Sequence, residues 1–531
     1  MTRLLSSEAA ARIDARLDAA AGPDTPGLAA VVVLDGEVVY RACRGLADLE
    51  HSVPITTGTT FHVASMSKQF AGFALAMVAD RGLLDLDGDV REHLPYVPDL
   101  GAVISPRQLA HHTSGLRDQW SQLVLSGWRI DDVITTDDVL GAVRRMRSLN
   151  FAPQTGFSYS NTGYTLMAEL VRAVDGRSLR DFCADELFTP LGMHDTHFHD
   201  RYDELVPGRA HSYRPTPEGG FAHAVLSYGT VGATSLHTTV EDLVRWDRNL
   251  SDHQVGSDAV FALMDQGGVL ADATATAYAF GLMHDTYRGR RRVHHAGGDA
   301  GFRTQGERYP ELGLSVYLLG NSAALDAPGL VRQVADVALD ELGAPPAPET
   351  GAPVRDPARF AGSFINPRTG YAVDLVDAGE QLTFLGAPLT QPDEDVLAVR
   401  SSVVLRFPAG PGPADALELA MTAVQPQRMV RFAPVTPTAE ELGALAGSYW
   451  SEELETRYDV ELVDGALILS QRKLGTMPLT PTTTDCFRGA TAGLVPMAFA
   501  VSFDRDVAGA VVGFRLSMPR NDNLVLTRTS G

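Results

Sequence analysis

The first 340 residues alternate between strand-like and helix-like patterns. An apolar run at 28–34, followed by Asp35-Gly36, predicts a strand that enters a tight hairpin turn. A second apolar run at 313–319 predicts another buried strand. Apolar residues at three- and four-residue spacing predict helices at 66–81, 163–175, 238–250 and 330–342. The elements do not form a regular strand–helix–strand repeat, so we expect a mixed α/β (α+β) fold.

The pattern changes after the last of these helices. Residues 344–356 are rich in Pro, Ala and Gly, which is typical of a linker. Beyond them, apolar and polar residues alternate over short stretches, which predicts antiparallel strands. We therefore expect a mixed domain at 1–343, a linker at 344–356, and two strand-rich domains at 357–435 and 436–531.

The two strand-rich domains repeat each other. AGSF at 361–364 returns as AGSY at 446–449. YAVDLVD at 371–377 returns as YDVELVD at 458–464, with five of seven positions identical. Each copy places Tyr, Val and Leu at alternate positions, so one face of the strand is apolar. The repeat predicts two small antiparallel β-barrels or sandwiches.

Composition narrows the class of protein. The chain has 44 basic and 66 acidic residues, a net charge of −22, which argues against nucleic acid or an anionic membrane as partner. Its three cysteines are scattered and support neither a disulfide framework nor a zinc site. No apolar run is long enough to span a bilayer, and the amino-terminal segment lacks the apolar core of a signal peptide. We expect a soluble, cytoplasmic protein.

Lysine is rare in this chain. Of the 44 basic residues, only Lys68 and Lys473 are lysines. Lys68 follows Ser65 by three residues at the start of a predicted helix, which places hydroxyl and amine one turn apart. A serine hydroxyl needs a base to become a nucleophile, and lysine can supply it when burial lowers its pKa, whereas arginine cannot. Ser65 and Lys68 are therefore a candidate nucleophile and base.

The spacing alone is a weak signal. Ser470 and Lys473 share it, but Ser470 ends an apolar strand, and an extended chain does not keep these two positions on one face. We expect Lys473 on the surface. For Ser65 and Lys68 the alternative is a helix cap followed by an exposed lysine.

Two further segments favour the catalytic interpretation. Tyr159 and Asn161 follow a turn and precede a helix. A tyrosine near a lysine can shuttle a proton, and the amide of an asparagine can bind a substrate carbonyl. His295 and Gly297 lie on a predicted short strand that runs into a glycine-rich turn, where a substrate backbone can approach closely. Each residue alone also fits a structural role. The order Ser-x-x-Lys, Tyr-x-Asn, His-x-Gly is much more specific than its parts.

With this ordered set the chain resembles the penicillin-binding protein and serine β-lactamase superfamily. The similarity includes the segments FHVASMSKQF, LAHHTSGLRDQW, NFAPQTGFSYSNTGYTLMAEL and HHAGGDAGFRTQ. Within the superfamily, essentially the whole chain is similar to the bacterial D-aminopeptidase family, which has two β-barrel domains after the catalytic one. The resemblance implies a β-lactamase-like catalytic domain at 1–343, followed by two small antiparallel β-barrel domains.

The resemblance also implies a catalytic set. Ser65 would be the acylated nucleophile, and Lys68 would be its base, coupled to Tyr159. The Ser65 amide and a strand amide would form the oxyanion hole. No metal and no other cofactor is implied.

A substrate-binding set follows in the same way. Asn161 would contact the acyl-enzyme substrate. His295 and Gly297 would line the strand beside the site, where family members more often carry Lys-Thr-Gly.

One segment departs from the family pattern. In D-aminopeptidases, a loop from the third domain offers an acidic residue to the substrate ammonium. The corresponding stretch here, 487–499, contains no Asp or Glu, and its one charged residue is Arg488. An unpaired ammonium in a dry site is unfavourable. Either Asp485 or another carboxylate substitutes, or the substrate end is neutral or anionic.

The expected function is a serine hydrolase, a D-aminopeptidase-like peptidase or amidase on small D-residue amides or esters. A β-lactamase, DD-carboxypeptidase or esterase with the same machinery is the first alternative. A penicillin-recognising binding protein that acylates without turnover is the second, and an inactive scaffold is disfavoured by the complete set of residues. The expected partner is a small molecule or short peptide, with no nucleic acid and no membrane; a homodimer is left open.

Other motifs carry less weight. His111-His112 lacks a carboxylate at ligand spacing and continues an apolar helix, so we expect a structural role. The acidic turn at 85–89 lacks the final glutamate of a calcium loop.

Overall fold

The amino-terminal part of the chain is built on a seven-stranded antiparallel sheet. The computed structural model describes residues 5–347, 351–379, 381–399, 403–410, 412–421, 424–491 and 497–529. From one edge to the other, the strands are Tyr278–Ala279, Leu282–Tyr287, Arg290–Asp299, Phe302–Tyr309, Leu314–Gly320, Leu28–Leu34 and Glu37–Arg44. The first and last strands of this sheet along the chain, Leu28–Leu34 and Leu314–Gly320, therefore pair inside the sheet, in agreement with the two predicted apolar runs.

Helices cover both faces of this sheet. Every residue of Leu28–Leu34 is buried because the strand has a core on each side. Ala29, Val31 and Val33 face one core, and the alternate residues face the other. On the second face lie the helices Ser7–Ala20 and Ala327–Glu341.

The first face carries the larger helical layer, which includes three of the four predicted helices. They are Lys68–Asp80, Asn161–Asp175 and Val240–Asp252, together with Asp258–Asp265. Shorter helices and turns complete the layer: Val90–Glu92, Pro106–Ala110, Gln119–Leu125, Thr136–Arg144, Leu179–Cys183, Ala184–Phe188 and Thr189–Leu191. The turn Pro310–Leu312 joins two strands of the main sheet, and its Leu312 packs against the core of the second face. The predicted 66–81 helix begins later than expected because Ala64–Ser67 forms a 3₁₀ turn.

Small sheets connect the helical layer to the main sheet. A three-stranded sheet has the order Phe61–His62, Leu236–Thr238, His197–Phe198, and its first strand leads directly into the 3₁₀ turn. Three two-stranded pairs are Leu46–Asp48 with Val53–Pro54, Ile134–Thr135 with Tyr228–Gly229, and Tyr213–Pro215 with Phe221–His223.

Two antiparallel sheets follow in the carboxy-terminal part. The first is curled and has ten strands in the order Ala352–Pro353, Thr390–Asp393, Val396–Val399, Val403–Arg406, Ala416–Met421, Val424–Phe432, Gly362–Ile365, Ala372–Asp377, Leu382–Phe384 and Ala387–Pro388. The second is a closed barrel of Gly447–Ser451, Thr456–Val463, Ala466–Gln471, Gly475–Thr483, Cys486–Ala490, Ala498–Arg505, Val511–Met518 and Asn521–Arg528. The predicted fold class is confirmed. The domain boundaries at 343, 357 and 435 stay a prediction.

The sequence repeat corresponds to a structural repeat. A short helix precedes the strand that carries the repeated AGS segment in each sheet: Pro357–Phe360 precedes Gly362–Ile365, and Ala439–Leu445 precedes Gly447–Ser451. Each strand then opens on a glycine with φ of +145° at Gly362 and +154° at Gly447, which favours glycine over any other residue.

No helix in the described part of the chain is long and apolar enough to cross a membrane. The cysteines Cys43, Cys183 and Cys486 are all free thiols. A cytoplasmic location stays a prediction.

Candidate active site

Ser65 lies on the 3₁₀ turn, immediately before the helix Lys68–Asp80. The preceding residue, Ala64, has a left-handed φ of +49°, which a residue with a side chain rarely adopts. Two hydrogen bonds fix the turn: Ser67 Oγ donates to the Ala64 carbonyl at 2.5 Å, and Leu236 N–H donates to Ser67 Oγ at 2.9 Å. The strained turn leaves Ser65 partly exposed, while Ala64 and Ser67 are buried.

Lys68 is completely buried, with an exposed fraction of 0%. Its Nζ donates to Ser65 Oγ at 3.2 Å, to Asn161 Oδ1 at 2.7 Å and to the Ala233 carbonyl at 2.6 Å. Burial lowers the pKa of Lys68 to about 7, with Asp118 acting in the opposite direction. A substantial fraction of Lys68 is therefore unprotonated near neutral pH and able to accept the Ser65 proton.

Tyr159 covers the other side of the amine. Its ring centroid lies 4.8 Å from Lys68 Nζ. Its buried hydroxyl lies near Ser65 and Tyr278 but makes no hydrogen bond with a described residue. Burial raises the pKa of Tyr159, so the phenol keeps its proton at neutral pH and can donate it.

Asn161 is held by a residue that sequence reasoning missed. Asn161 is the first residue of its helix, and both its N–H and its Nδ2 donate to Asp118 Oδ2, at 2.8 and 2.6 Å. Its Oδ1 is thereby directed at Lys68 Nζ. Asp118 is a positioning residue that lies 43 positions away in the sequence, and no local spacing indicated it.

His295 is a neutral imidazole beneath the site. Its Nδ1 lies 2.6 Å from the Ala296 carbonyl and must carry the proton, so its Nε2 accepts from the Tyr278 hydroxyl at 2.8 Å. Burial, with Lys68 nearby, lowers the pKa of His295 to about 3. The strand beside the site therefore carries no cation at this position.

Gly297 differs from the sequence prediction in its local structure. We expected a short strand that ends at a glycine-rich turn, but Arg290–Asp299 continues as strand through both glycines. A Cβ at Gly297 would lie 2.2 Å from Thr304 Oγ1 and 2.2 Å from the Val63 carbonyl. The glycine is needed because the strand packs directly against the nucleophile turn.

Asp299 ends that strand and brings an acid to the site. Thr234 Oγ1 donates to Asp299 Oδ2 at 2.8 Å, and Thr234 follows Ala233, whose carbonyl binds Lys68. Burial raises the pKa of Asp299 to about 6, and Lys68 is close enough to lower it in part. Sequence reasoning missed Asp299 because it placed this residue in a turn.

A cation enters the site from the barrel. Arg520 lies at the tip of the hairpin that joins Val511–Met518 to Asn521–Arg528. Its guanidinium carbon lies 5.0 Å from the Tyr159 ring centroid. The guanidinium makes no ion pair or hydrogen bond with a residue that the structure describes, whereas the Arg520 carbonyl accepts from Asn150 Nδ2. Arg520 adds to the lowering of the Lys68 pKa.

Two hydrogen bonds and a buried ion pair hold the hairpin and the barrel beside the candidate active site. Asn521 Oδ1 accepts from the Asp118 N–H at 2.7 Å, and Asn521 Nδ2 donates to the Asp118 carbonyl at 3.1 Å. A buried ion pair joins Arg117 to Glu453 of the barrel at 3.0 Å, with side-chain exposures of 1% and 6%. The barrel therefore holds Asp118, which in turn orients Asn161.

Arg488 of the 487–499 stretch and Asp485, which lies just before it, both have other partners. Arg488 pairs with Asp374 of the curled sheet at 2.6 Å. Asp485, the suggested substitute acid, pairs with Arg505 within the barrel at 2.7 Å, so it is not the missing carboxylate. Of the loop itself, residues 492–496 lie outside the described part of the chain.

The remaining candidates have structural positions. Lys473 has a 54% exposed side chain and pairs with Asp132, as expected for a surface residue. His112 follows the helix Pro106–Ala110 rather than continuing it, and its Nδ1 accepts from the Ser160 N–H at 3.1 Å. It supports the segment that carries Tyr159.

Curated relatives cover most of the chain. The D-aminopeptidase of Cereibacter sphaeroides is 29% identical over 510 residues, 92% of this chain and 93% of the relative. That of Gluconobacter oxydans is 28% identical over 474 residues, 87% of each chain.

Solved structures show the same fold. The octameric penicillin-binding protein homologue from Pyrococcus abyssi matches with a TM-score of 0.55 and 18% identity, covering 98% of this chain and 99% of that one. The D-amino acid amidase from Ochrobactrum anthropi matches with a TM-score of 0.53 and 22% identity, covering 63% of this chain and all of its own.

The family model described as Beta-lactamase matches residues 13–339, more than half of the chain. This range holds the main sheet, the nucleophile turn and the three motifs in their expected order. The resemblance inferred from the motifs is confirmed: the chain belongs to the beta-lactamase family.

Proposed function

We propose that this protein is a serine hydrolase that releases amino-terminal D-residues from amides and short peptides through an acyl-enzyme at Ser65. The observation that carries the proposal is the buried centre in which one amine, Lys68 Nζ, contacts both Ser65 Oγ and Asn161 Oδ1. The D-aminopeptidase names of the relatives, and their coverage of both carboxy-terminal sheets, support the choice of substrate.

The geometry supports a two-step reaction. Ser65 Oγ attacks the scissile carbonyl carbon as its proton passes to Lys68 Nζ. The tetrahedral intermediate collapses when the C–N bond breaks, and the leaving amine takes a proton from Tyr159, which is replaced from Lys68. Water then attacks the Ser65 ester by the reverse proton path and releases the acid. Asn161, fixed by Asp118, is positioned to bind the substrate on the acyl side.

Asp299 is the residue that we propose for the substrate ammonium. It lies on the strand beside Ser65, and its carboxylate retains free acceptor capacity beyond the Thr234 hydrogen bond. With a pKa of about 6 it is ionised at neutral pH. Binding of an ammonium would offset the unfavourable burial of this charge.

A second candidate function rests on Arg520. The Arg520 guanidinium lies above Tyr159, on the side where the leaving group takes its proton, and has no described partner. It is therefore suited to bind a substrate carboxylate. A DD-carboxypeptidase would use this cation and would accept an acylated amino terminus. A D-dipeptide would use both charges, its ammonium on Asp299 and its carboxylate on Arg520.

The test compares hydrolysis of D-alanine p-nitroanilide, its N-acetylated form, and N-acetyl-D-alanyl-D-alanine. We expect cleavage of the free-amine substrate alone, abolished in Ser65→Ala. The matched control is Ser470→Ala, which removes the other Ser-x-x-Lys serine and should leave the rate unchanged. Activity that survives in Ser65→Ala overturns the site.

Asp299→Asn separates the two candidate functions. If Asp299 binds the ammonium, the substitution raises KM for the free amine with little change in kcat. Cleavage of the N-acetylated dipeptide by the wild type, unaffected by Asp299→Asn, would instead favour the carboxypeptidase.

A further inference from the structure

Three histidines gather on one face of the small three-stranded sheet. His197 and His199 are two residues apart and so project to the same side of an extended chain. His237 lies on the neighbouring strand, directly opposite His197. We call these three residues the histidine triad.

The spacing of the histidine triad is that of metal ligands. One ring nitrogen from each imidazole lies within 4.8 Å of the other two. Imidazole nitrogens bound to one tetrahedral zinc ion at ~2.0–2.1 Å are about 3.4 Å apart. Small side-chain rotations therefore bring all three nitrogens to one ion, without a change in the strands that carry them.

Each ring of the histidine triad has one buried nitrogen that makes no hydrogen bond to a residue that the structure describes. His197 Nε2, His199 Nδ1 and His237 Nδ1 are buried, and none of them has a hydrogen-bond partner among the residues that the structure describes. Buried polar atoms are nearly always bonded, so three such atoms at one place point to a ligand.

Space and charge around the histidine triad are also suited to an ion. His199 and His237 line a cavity of about 150 Å³, which leaves room for a fourth, exchangeable ligand. Glu204 Oε2 lies 3.7 Å from His199 Nδ1, although Arg180 also binds this carboxylate. The Arg209 guanidinium lines the same cavity and opposes a cation, so we expect binding weaker than at a site without a neighbouring positive charge.

We propose that the histidine triad binds one transition-metal dication of the zinc class, with its fourth position open to the cavity. The site is separate from the acyl-enzyme chemistry but adjacent to it. The ring of His62 lies 5.2 Å from that of His237, and His62 Nδ1 accepts the N–H of Ala64 at 3.1 Å. A bound ion would therefore stiffen the sheet that supports the nucleophile turn.

The test uses the untagged full chain, stripped with a chelator and titrated with Co²⁺ and then with Zn²⁺. We expect one equivalent of Co²⁺ to give the visible bands of a tetrahedral site and Zn²⁺ to displace it. Zn²⁺ should also raise the midpoint of thermal unfolding. His237→Ala should weaken binding about 100-fold or more, since even loss of an outer-shell partner costs 10–100-fold.

Two controls keep the result interpretable. His51→Ala alters the exposed cluster of Asp48, Glu50 and His51, the other group in the described chain with ligand spacing, and should bind metal as the wild type does. If His237→Ala fails to fold, the half-buried His197→Ala serves in its place.

Absence of stoichiometric binding by the wild type, or a loss of binding in His51→Ala alone, overturns the proposal. Ser65→Ala should bind metal normally, so this outcome does not depend on the hydrolase reaction.

Discussion

The closed barrel and the curled ten-stranded sheet begin alike but relate differently to the active site. The barrel inserts a hairpin tip beside Tyr159 and buries the Arg117–Glu453 pair against the catalytic domain. The curled sheet contacts that domain through Arg368, whose half-exposed guanidinium donates to the Asn150 carbonyl at 3.2 Å. The same guanidinium pairs with Asp522 of the barrel at 2.6 Å. The copy that forms the barrel therefore lies beside the candidate active site, and the copy that forms the curled sheet lies at its periphery.

The difference lies in the turns rather than in the strands. Both copies keep the initial helix, the glycine and the apolar alternation. The barrel hairpin at 519–522 adds a left-handed Arg520, with φ of +72°, whose carbonyl accepts from Asn150 Nδ2 at 2.6 Å. The two copies therefore share their helix and strands, and a few residues in the turns determine which copy contacts the active site.

The largest effect should come from breaking the buried pair of the barrel. Glu453→Gln leaves Arg117 charged and without its counter-ion, which typically destabilises a protein by about 3–5 kcal/mol. Chemical denaturation, followed by fluorescence, measures the loss. The control is Glu418→Gln, which removes an exposed pair with Arg406 in the curled sheet and should give no measurable change. Equal losses in the two variants would contradict the comparison.

The next effect concerns substrate binding. Arg520→Ala should lower kcat/KM for D-alanyl-D-alanine about 10–100-fold, the equivalent of one charge-assisted hydrogen bond of roughly 1.5–3 kcal/mol. D-Alanine p-nitroanilide has no carboxylate and should lose much less. Arg515→Ala, which alters an arginine paired with Asp504 on the barrel, is the matched control. A uniform loss for both substrates would assign Arg520 a structural role instead.

A smaller effect should appear in the pH dependence. The base must be unprotonated, so kcat should rise with pH through about 7, the pKa of Lys68. Arg520 helps to lower that pKa, so Arg520→Ala should move the acidic limb to higher pH. Arg368→Ala should leave the limb in place. An acidic limb unmoved in Arg520→Ala would show that the hairpin does not act on Lys68.

The smallest effect should come from the curled sheet. Arg368→Ala removes an ion pair whose arginine is 54% exposed, so stability should change by less than about 1 kcal/mol and activity by less than twofold. Thermal unfolding and the p-nitroanilide assay measure both. A loss comparable with that of Glu453→Gln would mean that the two sheets support the catalytic domain equally.

Local patterns predicted the local structure well. The predicted strand at 28–34 is the observed Leu28–Leu34, and the 163–175 helix is Asn161–Asp175. Ser65 and Lys68 were predictable for the same reason, since three residues at the start of a helix fix their separation.

Residues that reach the site from distant segments were not predictable. Asp118 meets Asn161 across 43 positions of sequence, and Arg520 reaches Tyr159 from the barrel. The histidine triad comes from two stretches about 40 positions apart. Asp299 lay inside a recognised motif, but the two glycines before it suggested a turn. The structure shows that Gly297 serves close packing instead, so the strand extends as far as the acid.

The scarcity of lysine has a practical consequence. Lys68 is inaccessible in the folded protein, whereas Lys473 is exposed and spans the barrel and the catalytic domain through Asp132 at 3.5 Å. Once the α-amine of the chain is blocked, an amine-reactive dye applied under native conditions would therefore attach at a single position. That position lies beside Trp128, whose ring centroid is 5.1 Å from Lys473 Nζ. Fluorescence quenching of that label would report whether the barrel is docked on the catalytic domain. Lys68 would be labelled as well only when the catalytic centre becomes exposed to solvent.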